Sequence, residues 1–265
     1  MKQKVMIVFV LFVTLSFFSS SVFAMKDSSF SLPAQAVEIS PGIYHLGSTL
    51  SSEGKIVEGI AFVDYRKENA GQSKAIKGNG SSTCYNFLAS GAKWKVSESW
   101  VMNPTTTSGL NASFVFSHLS EDIQKWETAA GYNIFGIGSL TSLPLSAEST
   151  SPDGVNEIYF GSIAEPGVIA VTIVWGVFRG PLPQRSLVEW DQVYDQDDYA
   201  WSTIGESGKM DFDNIATHEL GHAAGMGHPA NTCTEETMYA YADYGETKKR
   251  DLNAGDITGI KALYK

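Results

Sequence analysis

Five residues at fixed spacing, three His, one Glu and one Gly, stand out in the stretch Thr217-His218-Glu219-Leu220-Gly221-His222-Ala223-Ala224-Gly225-Met226-Gly227-His228-Pro229. His218 and His222 are four residues apart, so on a helix both imidazoles leave one face and can share a metal ion. Gly225 follows three residues later, where glycine can take the left-handed conformation that ends a helix without a steric penalty. The turn then swings the chain back and delivers His228 as a third nitrogen. Three imidazoles and an open fourth position suit a catalytic Zn²⁺, whereas a structural zinc takes a fourth protein ligand. Glu219, beside a ligand but not itself expected to bind metal, can reach a water at the open position and take its proton. The pattern predicts hydrolysis of a peptide-type carbonyl. The reading from another class is a secreted zinc-containing binding or adhesion module without catalysis, which has no need of Glu219.

These side chains need a helix to carry them and a scaffold to hold that helix. Asp211 and Asp213 stand at the entrance of a predicted helix that runs to about Ala224, and either can cap it. A last helix is expected over about Asn253–Tyr264, with Ile257, Ile260 and Leu263 inward. An earlier helix is expected over Ser120–Ala130, with Ser120 as its cap and Gly131 as its stop. Ala92–Val101 reads as a first strand. Glu157–Gly161, Val168–Trp175 and Leu187–Tyr194 are β-branched or aromatic runs of strand length. Ile56–Val63 is another strand-like run. This mixture is an α+β domain.

The chain has 265 residues, 43% of them hydrophobic, 18% charged and 12% aromatic, which is enough apolar material for one packed domain with an appendage. The net charge of −10 lacks the basic footprint of nucleic-acid binding. Residues 1–24 read as a signal peptide: Lys2 and Lys4, then an apolar run over Val5–Phe18, then Val22 and Ala24 at the small positions of a cleavage site. An uncleaved anchor is the alternative. Cleavage implies a secreted, extracellular protein with no stable membrane association, acting on protein or peptide substrate, with a monomer expected. Residues 25–80 are either a propeptide or an N-terminal extension, ending in a polar linker over Lys67–Thr83, and the catalytic domain is expected over 81–265. Two cysteines, Cys84 and Cys233, form one disulfide by default in an exported chain. The competing reading leaves Cys84 as a free thiol that caps a metal.

The motif His-Glu-x-x-His-x-x-Gly-x-x-His resembles the metzincin signature, and the stretch from Cys84 to Lys265 looks like a matrixin domain of the kind found in archaeal and bacterial secreted proteins. The resemblance implies a zinc metalloendopeptidase. It implies a twisted five-stranded mixed sheet, four strands parallel and one antiparallel at the edge, with three helices. Val168–Trp175 would be that edge strand, where an extended peptide can add to the sheet. Trp94 would lie in the first strand and Trp126 in the first helix. Met238 in Glu236-Thr237-Met238-Tyr239 is the candidate methionine turn, an apolar floor to the metal site and not a ligand, and Tyr239–Tyr244 would line the specificity pocket. Ala240 occupies the position where some relatives place a tyrosine ligand, so no tyrosine ligand is assigned. Pro229 stands where matrixins usually have serine. The carboxylates of Asp195, Asp197 and Asp198 are candidates for a structural Ca²⁺. A matrixin prosegment usually carries Pro-Arg-Cys-Gly, and residues 25–80 hold no cysteine. If they inhibit, another ligand or steric cover must serve.

Overall fold

Runs that are apolar at nearly every position need burial on both faces, and they form the centre of one large sheet. The computed structural model describes residues 28–68 and 83–265. The expected signal peptide, and residues 69–82 of the expected linker, lie outside that range. In chain order the strands before the first helix are β1 (Ser29–Phe30), β2 (Val37–Ser40), β3 (Ile43–Leu50), β4 (Ile56–Arg66), β5 (Asn86–Phe87) and β6 (Glu98–Asn103). Helix α1 (Ala112–Ala130) is followed by β7 (Phe135–Leu140), β8 (Asn156–Ile163), β9 (Val168–Val177), β10 (Ser186–Asp195), β11 (Trp201–Ser202) and β12 (Met210–Asp211). Then come α2 (Phe212–Ala223), β13 (Met226–Gly227), β14 (Tyr241–Ala242) and α3 (Ala254–Tyr264).

The main sheet runs β2-β3-β4-β9-β10-β8-β6-β7, with β1 added to β8 and β14 to β4. Strands β10, β8, β6 and β7 run parallel to one another, and β9 is antiparallel to β10. The sheet is therefore larger than the five strands expected, and β9 is not its edge. The meander β2-β3-β4 continues it, β4 pairing antiparallel with β9 from Glu58↔Gly176 to Tyr65↔Val168. The helices cover one face. There Trp100, Trp126, Trp190, Leu220, Ile260 and Leu263 join the main core. On the other face Leu46, Val57, Trp175 and Val193 form a second core. Strand β4 serves both by period-two alternation: Ile60 and Phe62 enter the helix-side core, Ala61 and Val63 the other.

Three expected elements shift. Helix α1 begins at Ala112, not Ser120. Asn111 caps it by accepting the Phe114 N–H at 3.0 Å, while the Ser120 hydroxyl lies inside the helix and donates to Phe116 O. Residues 113–118 are only middling intrinsic helix formers, but Val115 and Leu119 extend the buried stripe of Ile123 and Trp126, and tertiary packing outweighs propensity. Gly131 ends the helix at φ +65°, its N–H donating to Glu127 O. The first strand starts only at Glu98. Trp94 lies ahead of it in irregular chain and donates its indole N–H to Ala223 O at 2.8 Å, bracing the end of α2. In α3, Ile260 and Leu263 are buried, but Ile257 is exposed.

Candidate metal centre

Helix α2 is fixed at both ends before it presents any chemistry. Asp211 caps it, accepting from Asn214 N at 3.1 Å, and is itself ion-paired with Arg250 at 2.6 Å. Trp126 donates to Thr217 O at 2.8 Å. Gly221 allows the helix to lie flat on Met238 and Trp126, since an added Cβ would collide with the Met238 sulfur and the Trp126 ring. Past the helix, Gly225 takes φ +100°, and the chain turns back toward His228.

The structure brings His218, His222 and His228 together. Their Nε2 atoms form a triangle with sides of 3.2, 3.0 and 3.3 Å. Ligands about 2.0–2.1 Å from a tetrahedral zinc stand roughly 3.3 Å apart, so the triangle has the size of one face of such a site. The far ring nitrogens are occupied: His218 Nδ1 lies 2.6 Å from Thr237 O and His222 Nδ1 lies 3.0 Å from Met226 O. A carbonyl can only accept, so each Nδ1 carries the proton and each Nε2 keeps its lone pair. Burial first, then the Lys249 charge, pushes His218 down to about 3, and burial pushes His222 down to about 4. Both rings are neutral at neutral pH, the state a metal ligand needs. Lys249 is itself buried, its ammonium pushed down to about 8 by that burial and donating to Tyr239 O.

Glu219 is fully buried. Its Oε2 accepts from the Thr172 hydroxyl of β9 at 2.6 Å, and Oε1 has no hydrogen-bond partner. Burial, then the facing Asp64 carboxylate, pushes its pKa well above the ordinary range. Thr172 carries no sequence signal, because a threonine in a β-branched strand looks like strand propensity alone.

Asp64 is the other residue the sequence did not flag. It comes from β4, and its Oδ1 lies 3.1 Å from His228 Nε2 while Oδ2 lies 3.4 Å from His218 Nε2 and 3.7 Å from His222 Nε2. Asp64, His218, His222 and His228 thus form one group able to hold a metal ion. Both Asp64 oxygens are buried without a hydrogen-bond partner. Buried anions are ordinarily paired or bound to metal, so the orphaned carboxylate and the three imidazoles fit a bound zinc. The available signal was a lone carboxylate at the helix-side period of an apolar strand, one residue past Ile56–Val63. Phe62 lies beside it, stacked on His222 at 3.7 Å between ring centroids.

Met238 is wholly buried against α2. Asp256 of α3 holds its turn, accepting from Thr237 N at 2.7 Å and Met238 N at 3.1 Å. In the stretch Tyr239–Tyr244, Tyr241 and Ala242 pair in parallel with Tyr65 and Arg66 of β4, and the Arg66 guanidinium lies 4.3 Å above the Tyr244 ring. Cys84 and Cys233 are joined in a disulfide, so Cys84 is not a free thiol. The Asp195 carboxylate accepts from the backbone of Asp197 and Asp198, and Asp198 accepts from Gly167 N. The structure gathers different carboxylates into two groups able to hold a cation, Glu148 with Asp153 and Glu189, and Glu148 with Glu157 and Asp191. His118 pairs with Asp213 at 2.8 Å.

Comparison with known proteins points the same way. The peptidase family description "Matrixin" matches residues 181–265. Over this stretch the chain is similar to the matrixin family. Rat matrilysin (Rattus norvegicus) is 38% identical over 74 residues, and human matrilysin (Homo sapiens) 39% over 74 residues; each alignment covers 28% of this chain and 26% of the relative. The hatching enzyme of Paracentrotus lividus is 27% identical over 158 residues, 60% of this chain and 24% of that protein. The chain thus spans about a quarter of the length of the curated relatives it matches. The matrixin match takes in β10, all three histidines, Met238 and α3, whereas β4 and Asp64 lie outside it.

Proposed function

We propose that this protein is a secreted zinc-dependent endopeptidase, with His218, His222 and His228 as the zinc ligands and Glu219 as the general base. The observation that carries the reading is the triangle of three imidazole nitrogens, 3.0–3.3 Å on a side, with Glu219 on the same helix and its carboxylate facing Asp64. A zinc ion held there supplies Lewis-acid polarisation of a peptide carbonyl and makes a water more acidic. Glu219 takes the proton of the attacking water on Oε1 and passes it to the leaving amine. Thr172 holds the other carboxylate oxygen, fixing the direction of Glu219. Thr237 O and Met226 O keep His218 and His222 in the tautomer that binds metal. Met238 and Trp126 keep α2 from shifting beneath the site.

Residues 1–24 serve as a secretory signal in this reading, and residues 81–265 as the catalytic domain. No helix among the described residues is long and apolar enough to cross a membrane. Matrixin kinship supports protein or peptide substrates. A zinc-containing binding module remains the alternative from another class, and the position of Glu219 beside the imidazoles argues against it.

Zinc removal tests the reading. The chain should hold one zinc. With the Asp64 carboxylate removed by Asp64→Ala, chelation by 1,10-phenanthroline should abolish casein hydrolysis, stoichiometric zinc should restore it, and adding His222→Ala should lose both metal and activity. A zinc-free chain that still cuts casein would sink the assignment.

Calcium is the proposed structural ion, at the buried carboxylates rather than at Asp195–Asp198. Glu189 is fully buried, with one oxygen accepting from Gly154 N and the other without a hydrogen-bond partner. Burial pushes Glu189 up to about 8 and Asp191 well above the carboxylate range. Hard oxygen donors of this kind suit Ca²⁺. Calcium at 100 times its dissociation constant should stabilise the fold by about 2.7 kcal/mol. Thermal melts in calcium and in EGTA should therefore differ, and Glu189→Gln should shrink the difference; coincident melts would remove calcium from the account.

A further inference from the structure

Strand β9 has two ladder edges, and both are taken. One pairs with β10 and the other with β4. Strand β4 is also paired on its far side, by β3 over Ile43–Leu50 and by β14 at Tyr65 and Arg66. A peptide that adds to the sheet in front of the three histidines has no free edge to join. β4 already fills that place, lying between β9 and the Tyr241–Ala242 segment as an extended peptide would. The ladder between β4 and β9 shifts register between Asp64 and Tyr65. Such an irregularity re-aims a side chain, and it occurs at the residue facing the imidazoles.

Building on the zinc peptidase reading, we infer that residues 28–68 hold the enzyme latent, with Asp64 as the fourth zinc ligand and β4 in the substrate's position. A carboxylate oxygen can complete a tetrahedral zinc, and the Asp64 oxygens stand 3.1–3.7 Å from the three Nε2 atoms, close to the spacing of ligands around one ion. The carboxylate is buried and has no hydrogen-bond donor. Its burial without a cation would cost several kcal/mol, so bound zinc and the closed segment stabilise each other. Phe62 strengthens the closure by covering the His222 ring. A zinc whose fourth position is filled by Asp64 has no place for a water or a substrate carbonyl, and Glu219 then has no proton to take. The device differs from a cysteine cap: the one cysteine near the linker, Cys84, is bound to Cys233 and cannot act. Opening requires Asp64 to leave the zinc and β4 to leave β9.

The test uses residues 25–265, loaded with Co²⁺ in place of zinc. The visible absorption of Co²⁺ reports its ligands, and acetohydroxamate, a small chelating probe, reports an open position. Wild type, Asp64→Ala and Asp64→Asn are compared. Asp64→Asn keeps the size of the side chain and serves if Asp64→Ala folds poorly. The inference predicts a changed cobalt spectrum in both variants, acetohydroxamate binding at least about tenfold tighter than in wild type, and faster casein hydrolysis by the zinc forms. Cobalt uptake with identical spectra and identical probe affinity in all three would overturn the role of Asp64 and leave the peptidase reading standing. Failure of wild type to take up one cobalt would overturn both.

Discussion

Asp64 faces the three imidazoles and Glu219 follows the first of them on α2, yet only Glu219 was legible in the sequence. His218, Glu219, His222, Gly225 and His228 are close in the chain, so the helix and the turn at Gly225 bring them together. Asp64 and Thr172 reach the site through long-range strand pairing, and no local spacing encodes that. Another buried carboxylate makes a measurable difference to stability. Asp122 in α1 is pushed up to about 7 by burial, despite Lys125 at 2.8 Å. Its folded pKa lies above its unfolded value near 3.9. Between about pH 4 and pH 7 the unfolded chain has released this proton and the folded chain still holds it. Stability from this group is therefore greatest below about pH 4 and falls as pH rises toward 7. Asp122→Asn should remove that part of the decline, read as urea midpoints across the window. A wild-type and variant difference that does not change with pH would contradict it.

At the level of elements, β4, β8, β9, β10 and α2 followed from apolar runs and caps, because each is defined within a few residues. The start of α1 did not, because Val115 and Leu119 are drawn into a helix by a core contributed from distant segments. Trp94 misled for a related reason: its alternating neighbours look like a strand, but its indole is taken by Ala223 O. The disulfide joins the segment before β6 to the loop after His228, across 149 residues of sequence. Near it β5 pairs with β13, Asn86↔Gly227 and Phe87↔Met226, beside the turn that carries His228. Closing a loop of that length stabilises by about 4–5 kcal/mol in the chain-entropy picture. Cys84→Ser with Cys233→Ser should lower the melting temperature by about 10 °C. A change under about 2 °C would mean that the β5–β13 ladder and the helix-side core hold this corner unaided.

For the whole molecule, composition set residues 25–80 apart from the rest, and it gave no sign that β4 joins the same sheet as β9. An alternating strand shows which residues share a face, but not which edge of which sheet it joins. Here β4 joins β9, and the sheet expected to end at a substrate-binding edge continues for three more strands. The central claim remains the chemistry of Glu219 beside three imidazoles. Its most direct test is casein hydrolysis by the 25–265 chain in wild-type and Asp64→Ala backgrounds, each with and without Glu219→Ala, at one zinc per chain. The account predicts cleavage in the Asp64→Ala background and a loss of about 10²–10⁴-fold on removing Glu219. Equal rates with and without Glu219, or no cleavage in either background at full zinc loading, would contradict it.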